Sequence, residues 1–256
     1  MNRIRVEREG AVGRIVLARP EKKNALDEQA ALELDQALHE FGDDPGVHVV
    51  LLTAQGDDFC AGADLAALEA MVDAAPEIHR RDAQALGRVF TSLRELPQPV
   101  VAAVRGRALA GGAGLASACD LVLAHEDAQF GYPEVRVGFV PAMVMTMLRR
   151  SVGEKRAFEL VATGRVVSAR EALELGLVSR VLTGAEFDAQ VDAVVQQLAR
   201  SAPNALHLTK QLFYALDRAG FHEGIALGVE ANVAARATDD FREGVRRFVR
   251  RRKDQS

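Results

Sequence analysis

The segment Phe59-Cys60-Ala61-Gly62-Ala63-Asp64-Leu65 decides the fold, because it marks the point where a buried strand turns into a helix. The strand before it is a continuous apolar run from Val47 to Thr53, a pattern typical of strands buried on both faces in α/β proteins. Small residues in the segment let the backbone approach a ligand closely. Asp64 can cap the following helix, and the N–H group of Ala63 near this helix start can point at an anion. Taken alone, the segment is more typical of a tight strand-to-helix turn that binds nothing.

The alternation of strands and helices continues on both sides of this segment. We expect further strands at 4–7, 13–17, 99–104, 121–124 and 178–181, and helices at 27–41 and 78–96. Asp27 is expected to cap the first helix, whose buried face should hold Leu32, Leu34 and Leu38. From about Glu186 onward, four helical stretches occur without any strand signal. The pattern therefore predicts a core over residues 1–195 and a helical tail over residues 196–256.

A second small-residue turn, Ala110-Gly111-Gly112-Ala113-Gly114, follows the predicted strand at 99–104. It offers a helix start with unpaired N–H groups, or else a place where helices pack closely. The spacing G-x-G-x-x-G of a dinucleotide loop fails, because Ser117 stands at the last position. A phosphate-binding P-loop is excluded because the Gly-Lys-Ser/Thr sequence is missing.

A third segment, Gly131-Tyr132-Pro133-Glu134, carries an acidic side chain that could move protons. By itself, a lone glutamate in a loop is more often solvated than catalytic. The chain contains neither a G-x-S-x-G nucleophile elbow nor an H-E-x-x-H metal motif.

The composition limits the classes of function that remain. The 256 residues are 48% hydrophobic and 27% charged, with a net charge of −4, which disfavours nucleic acid as a partner even though the tail is basic. Cys60 and Cys119 lie far apart and form no zinc motif, so we expect no metal site. The first residues lack the apolar stretch of a secretory leader, and the longest apolar run, Val137 to Leu148, is too short to span a bilayer. A cytoplasmic protein without a membrane partner is expected.

Together, these segments resemble the crotonase superfamily, also called the enoyl-CoA hydratase/isomerase family. The resemblance extends over nearly the whole chain, from Arg19-Pro20 and Asn24-Ala25-Leu26 through the three segments above to Asp240-Phe241-Arg242-Glu243-Gly244. It implies an α/β fold, a crotonase-like spiral of ββα units with a C-terminal helical trimerisation region. It also implies a homotrimer, or a homohexamer made of two trimers.

The resemblance implies an acyl-CoA substrate whose thioester oxygen lies between the backbone N–H groups of Ala63 and Gly111. Glu134 matches a family acid/base, and no cofactor is expected because coenzyme A is part of the substrate. Further residues implied to contact the substrate or its CoA are Lys22, Lys23, Ala25, Ala61, Asp64, Leu65, Gly112, Phe248 and Arg251. The basic cluster around Arg251 could equally be a solvated helix end. Met143, Met145 and Met147 are expected to fill the pocket or the core.

One position departs from the family pattern. Family hydratases carry a second glutamate where this chain has Gly114, which leaves Glu134 as a single evident acid/base. The favoured reading is an enoyl-CoA hydratase that adds water to a 2-enoyl-CoA. The alternatives are a single-glutamate isomerase that converts 3-enoyl-CoA to 2-enoyl-CoA, and a catalytically weak acyl-CoA-binding member of the family.

Overall fold

The computed structural model describes residues 2–254, and the side chains of residues 2–250. A large sheet has the spatial order β1 (Ile4–Glu9), β2 (Val12–Leu17), β3 (Val49–Ala54), β4 (Val100–Val104), β6 (Leu121–His125) and β9 (Arg180–Leu182). A small sheet contains β5 (Arg107–Leu109), β7 (Gln129–Gly131) and β8 (Val166–Ser168). In the large sheet only β1 is antiparallel to its neighbour, and in the small sheet β8 is antiparallel to β7.

Helices cover both faces of the large sheet and form the C-terminal tail. They are α1 (Glu28–Gly42), α2 (Leu65–Ala70), α3 (Pro76–Glu95), α4 (Gly111–Ala118), α5 (Val144–Val152), α6 (Glu154–Thr163), α7 (Ala169–Leu175), α8 (Phe187–Ala199), α9 (Pro203–Ala215), α10 (Phe221–Ala237) and α11 (Asp239–Asp254). Short 3-10 helices occur at Pro20–Lys22, Pro133–Val137, Gly184–Glu186 and Leu216–Arg218.

The buried strands divide their side chains between two apolar layers, as their alternating geometry requires. Val49 and Leu51 of β3 pack with α8, whereas Val50 and Leu52 face the larger core that includes α1, α3 and α4. The strand is therefore buried on both faces, as its continuous apolar run predicts.

The chain repeatedly passes from a strand of the large sheet to a strand of the small sheet and then into a helix. β4, β5 and α4 form one such unit, and β6 and β7, followed by α5 and α6, form the next. This order confirms the predicted spiral of ββα units. Among residues 2–254, no helix is both long and apolar enough to cross a membrane.

Helix α1 has the predicted cap, since Asp27 Oδ1 accepts a hydrogen bond from the N–H of Ala30 at 2.8 Å. Its predicted buried face is wrong in one residue, because Leu32 is 41% exposed. Leu32 lies about 200° around the helix from Leu34, which is fully buried, and therefore points away from the core.

Four helices, α8 to α11, follow residue 186 in the described part of the chain, as expected, with one short 3-10 turn between α9 and α10. The predicted boundary at 195/196 lies inside α8, whose Val195 and Leu198 still pack against the sheet. The next helix, α9, is joined to the core by the buried Lys210, whose Nζ contacts Asp120 Oδ2 at 2.8 Å. Tyr214 donates a hydrogen bond to the other oxygen of that carboxylate.

Candidate active site

Two neighbouring parallel segments bring the predicted N–H donors together. Cys60 forms a parallel bridge with Ala108 of β5, so the segment that contains Cys60 lies along the edge of the small sheet. Ala63 and Gly111 each stand three positions after a member of this pair. A Cβ atom added at Gly62 would lie 3.3 Å from the nitrogen of Gly111, so the two turns are in direct contact.

The backbone N–H of Ala63 points away from Leu26, which bonds the residues on either side of Ala63. Leu26 donates its N–H to the carbonyl of Gly62 at 2.7 Å and accepts the N–H of Asp64 at 2.8 Å. In such a parallel bridge the N–H and C=O groups of the middle residue, here Ala63, point away from the partner residue, here Leu26. Among the described residues the N–H of Ala63 has no acceptor, and Ala63 itself is exposed.

Gly111 begins α4, and its N–H also has no acceptor within the described ranges. The preceding Ala110 has φ 51° and ψ −122°, a region that a residue with a side chain rarely adopts. Backbone strain of this kind concentrates at functional sites. Here the strained conformation of Ala110 ends β5 and directs the first N–H groups of α4 away from that strand. The positive end of the helix dipole adds to their attraction for an anion.

Gly112 lies against the turn that carries Ala63. A Cβ atom at this position would meet the carbonyl oxygen of Cys60 at 2.2 Å. Because the obstacle is backbone, only glycine permits this approach of α4 to the first turn. The structure thus places Gly112 at the contact between the two turns, in a buried position.

Glu134 follows the small sheet at the same edge. β7 runs parallel to β5, and Gly131 at its end accepts a hydrogen bond from the N–H of Ala110 at 2.8 Å. Glu134 comes three residues later, in a 3-10 turn, and is 9% exposed. In the described part of the chain its Oε2 atom has no hydrogen-bond partner. Burial raises the pKa of this carboxyl group above its ordinary value, although a bond from its own backbone N–H opposes the shift.

The position of the second family acid is filled by apolar side chains. A Cβ atom added at Gly114 would lie 2.2 Å from Cγ1 of Val144 on α5 and 3.3 Å from the ring of Phe90 on α3. An acidic side chain can enter this space only if the side chain of Val144 is displaced. The absence of a second carboxylate is therefore built into the packing of three helices.

The other predicted site residues surround the turns in different ways. Lys22, Lys23 and Leu65 are exposed, whereas Ala25 is buried and Ala61 is partly buried. The carboxylate of Asp64 is engaged by the protein, since Oδ1 accepts the N–H of Ala66 and Oδ2 accepts a bond from Arg19. Phe248 lies on α11, far along the tail, and is 63% exposed. The side chain of Arg251 lies outside the described residues.

The methionines divide by their helical positions. Met147 is buried and Met143 is partly buried against the core, whereas Met145 is 37% exposed and does not fill the core. Residues 143 and 147 fall on one side of α5, and residue 145 falls on the opposite side.

Three residues that shape the site were missed by sequence reasoning: Arg19, Phe90 and Val144. Arg19 binds residues 6, 8 and 45 positions away, so no local pattern indicates its role. Val144 and Phe90 sit on helices whose apolar faces are predictable, but their contact with Gly114 depends on how those helices pack.

Comparisons with known proteins agree with this geometry. The family described as enoyl-CoA hydratase/isomerase matches residues 7–255. A Thermus thermophilus protein, provisionally named an enoyl-CoA hydratase, is 45% identical over 249 residues, which is 97% of this chain and 98% of the relative. The short-chain-enoyl-CoA hydratase of Clostridium acetobutylicum is 34% identical and covers 99% of this chain and 97% of its own. The crystal structure of an enoyl-CoA hydratase from Mycobacterium smegmatis superposes with a TM-score of 0.93 at 32% identity, over 97% of this chain and 96% of that chain.

Proposed function

The chain belongs to the enoyl-CoA hydratase/isomerase family, and we propose that it is an enoyl-CoA hydratase that adds water across the 2,3 double bond of a 2-enoyl-CoA thioester. The observation that carries the proposal is the meeting of two unengaged backbone donors, at Ala63 and Gly111, with one buried carboxylate, Glu134. All three follow parallel segments that end at one edge of the small sheet. CoA is part of the substrate, and the proposed reaction requires no separate cofactor or metal.

The two donors would stabilise the charge that develops on the thioester oxygen. When water oxygen adds at C3, the electrons of the double bond move toward that oxygen and produce an enolate. Donors held in place before the reaction pay no cost of reorganisation, and each such donor is worth about 3 kcal/mol in comparable sites. Exposure of Ala63 and partial exposure of Gly111 leave both positions accessible to the substrate.

Glu134 would carry the proton. As the ionised form it accepts a proton from water while the water oxygen bonds to C3, and it then delivers a proton to C2, which restores the carboxylate. The sum is one water molecule added and no proton gained or lost by the protein. Burial, which raises the pKa of Glu134, makes its carboxylate a stronger base toward water and assists the first half of this cycle.

The acyl group would lie among apolar side chains of α3 and α5. A carbon added at Gly111 would be 3.8 Å from Cδ2 of Leu86, and Val144 and Phe90 close the space beside Gly114. The exposed Lys22 and Lys23 are suited to the phosphates of CoA. Phe248 and Arg251 are proposed to reach the CoA bound to a neighbouring subunit, in a homotrimer or a homohexamer. Buried, unpaired Cys60 and Cys119 are compatible with a reducing compartment, and we propose a cytoplasmic location.

One observation favours isomerisation of 3-enoyl-CoA as a second candidate activity. Val144 and Phe90 occupy the space of a second acid, and the carboxylate of Asp64 is bonded to Arg19 and to the N–H of Ala66. Among the described residues beside the two turns, Glu134 is therefore the carboxylate left to transfer a proton. One carboxylate is sufficient to move a proton between C4 and C2, since that reaction needs no activated water.

The two activities are separated by following the absorbance of the conjugated enoyl thioester. Purified protein is expected to remove this absorbance from crotonyl-CoA, whereas an isomerase would create it from a 3-enoyl-CoA. Glu134→Gln should lower turnover by about a hundredfold or more while CoA esters still bind. The proposal is overturned when neither substrate reacts, or when the Glu134→Gln variant retains full activity.

A further inference from the structure

The guanidinium group of Arg19 links the two loops on either side of the Ala63 donor. Nη1 donates to the carbonyl of Ala25 at 3.1 Å and to Asp27 Oδ2 at 3.0 Å, and Nη2 donates to Asp64 Oδ2 at 3.0 Å. The side chains involved are largely buried, with 16% exposure for Arg19 and 10% for Asp64. Water therefore competes little for these bonds.

These loops form the bridge that directs the N–H of Ala63 outward. Leu26 holds the peptide groups of Gly62 and Asp64, so the orientation of Ala63 depends on how residues 25–27 sit against residues 62–64. Arg19 contacts both members of this pair of segments. Asp64 also connects Arg19 to α2, because its second carboxylate oxygen accepts the N–H of Ala66 at the start of that helix.

The segment that leads to Leu26 has a strained backbone that needs such support. Lys23 and Asn24 both have φ 53°, in the left-handed region that side-chain-bearing residues seldom occupy. Asn24 accepts the backbone N–H of Arg19 and donates to the carbonyls of Gln55 and Asp58. Asn24 thus holds the loop against residues 55 and 58, and Arg19 holds it against the turn that contains Ala63.

We infer that Arg19 is a positioning residue for the oxyanion-binding N–H of Ala63, acting through Asp64 and the Leu26 bridge. The inference rests on the proposed function, since it assigns a role in the chemistry to a residue that does not touch the substrate. Arginine is suited to this role because its planar fork can donate to three acceptors at once, whereas a lysine presents a single ammonium nitrogen on a flexible stem. A buried ion pair that only stabilised the fold would not require this placement.

Arg3 provides a matched control on the same network. Its Nε contacts both oxygens of Asp27 at 2.8 Å, but in the described part of the chain Arg3 forms no hydrogen bond to Asp64 or Ala25. Arg3→Lys thus weakens the support of Asp27 without changing the link to the Ala63 turn. We expect Arg19→Lys to lower kcat for crotonyl-CoA hydration by about tenfold or more with KM within about twofold, and Arg3→Lys to leave both within about twofold.

A spectroscopic measurement reports directly on the donor. Crotonyl-CoA labelled with 13C at the thioester carbonyl is bound to protein in the Glu134→Gln background, where it is not consumed. The infrared carbonyl stretch should move to lower frequency on binding, and Arg19→Lys should reverse a large part of that shift. Arg3→Lys should leave the shift intact.

Asp64→Asn tests the other end of the link and serves if Arg19→Lys does not fold. Asparagine keeps an oxygen for the cap at Ala66 but loses the charged partner of Arg19, so kcat should fall as in Arg19→Lys. The double variant should lose little more than either single variant, because both break one link.

The possible failures are distinguishable. If the unmodified protein does not hydrate crotonyl-CoA, the proposed function fails and this inference with it. If it hydrates crotonyl-CoA and kcat and the carbonyl shift survive in Arg19→Lys or Asp64→Asn, the inference alone is overturned. Equal losses in Arg19→Lys and Arg3→Lys, in proportion to lost thermal stability, would also overturn it, since they indicate a purely structural role.

Discussion

At the residue scale, the protonation behaviour of Glu134 follows from its burial, since among the described residues its Oε2 atom has no hydrogen-bond partner. Because burial raises the pKa in the folded state, folding favours the protonated form of this side chain. The stability that results is fully present below the pKa of the unfolded chain and is lost as pH rises through the pKa of the folded protein.

Glu134→Gln should therefore change stability in a pH-dependent way. At about pH 3, where the side chain is protonated in both folded and unfolded protein, the two proteins should melt at about the same temperature. Above the folded pKa the variant should melt at a higher temperature, since it carries no buried charge. Thermal unfolding of both proteins from about pH 3 to pH 8 checks this. A melting difference that does not vary with pH would contradict the account of Glu134.

Gly112 allows a second test at the same scale. Gly112→Ala places a methyl group against the carbonyl of Cys60, and overpacking of this kind costs about 1–3 kcal/mol. Since the clash separates the two donor turns, turnover should fall more than stability alone explains. Gly228→Ala is the control, because no atom of the described residues lies within 4 Å of the added carbon on α10. Denaturant unfolding and crotonyl-CoA kinetics measure both effects, and unchanged kcat in Gly112→Ala would count against the site.

At the scale of elements, the packing of α4 against α5 decides which acids can be present. Gly114→Glu alone should unfold at a lower denaturant concentration and gain no hydratase activity, because Val144 occupies the space. Combining it with Val144→Ala should recover part of the stability, and it should raise the rate of hydration if the new carboxylate reaches the site. Val144→Ala alone serves as the control for the cavity. Gly114→Glu that is as stable as the unmodified protein would show that Val144 does not exclude an acid.

The sequence predicts long elements better than short ones, for physical reasons. The apolar run before Thr53 and the cap at Asp27 are strong local signals, and both correspond to elements of the structure within two residues. β5, β7 and β8 were not predicted, since each has three residues and no periodicity can be read over so short a stretch. Yet these strands set the register that brings Ala63, Gly111 and Glu134 together.

The donors themselves were identified from small residues at helix starts and from the family resemblance, and the structure places them in adjacent turns. The link through Arg19 could not be found in this way. Its three partners lie on two segments, 6, 8 and 45 residues away, and an arginine before a proline carries no signal of its own until the loops are folded together.

At the scale of the whole molecule, helix α10 presents an apolar stripe that the described residues do not cover. Phe221, Ile225, Val229 and Val233 recur every four residues and are 54–79% exposed. Exposed apolar faces of this size mark interfaces, which supports the proposed trimer or hexamer.

Val229→Asp should shift the protein toward monomers, because it places a charge in the middle of this stripe. Ala234→Asp adds the same charge to an exposed position about 140° around α10 from Val229, outside the stripe, and should not change the assembly. Sedimentation or light scattering gives the mass of each protein. A Val229→Asp variant that retains the mass of the unmodified assembly would show that the stripe is not an interface.

The central claim is that one thioester oxygen receives both backbone N–H groups. It is tested most directly by a crystal structure of the Glu134→Gln variant with 3-hydroxybutyryl-CoA, the product of crotonyl-CoA hydration. The account predicts that the thioester oxygen lies about 2.7–3.1 Å from the nitrogens of both Ala63 and Gly111. An oxygen bound elsewhere, or held by only one of the two donors, would contradict it.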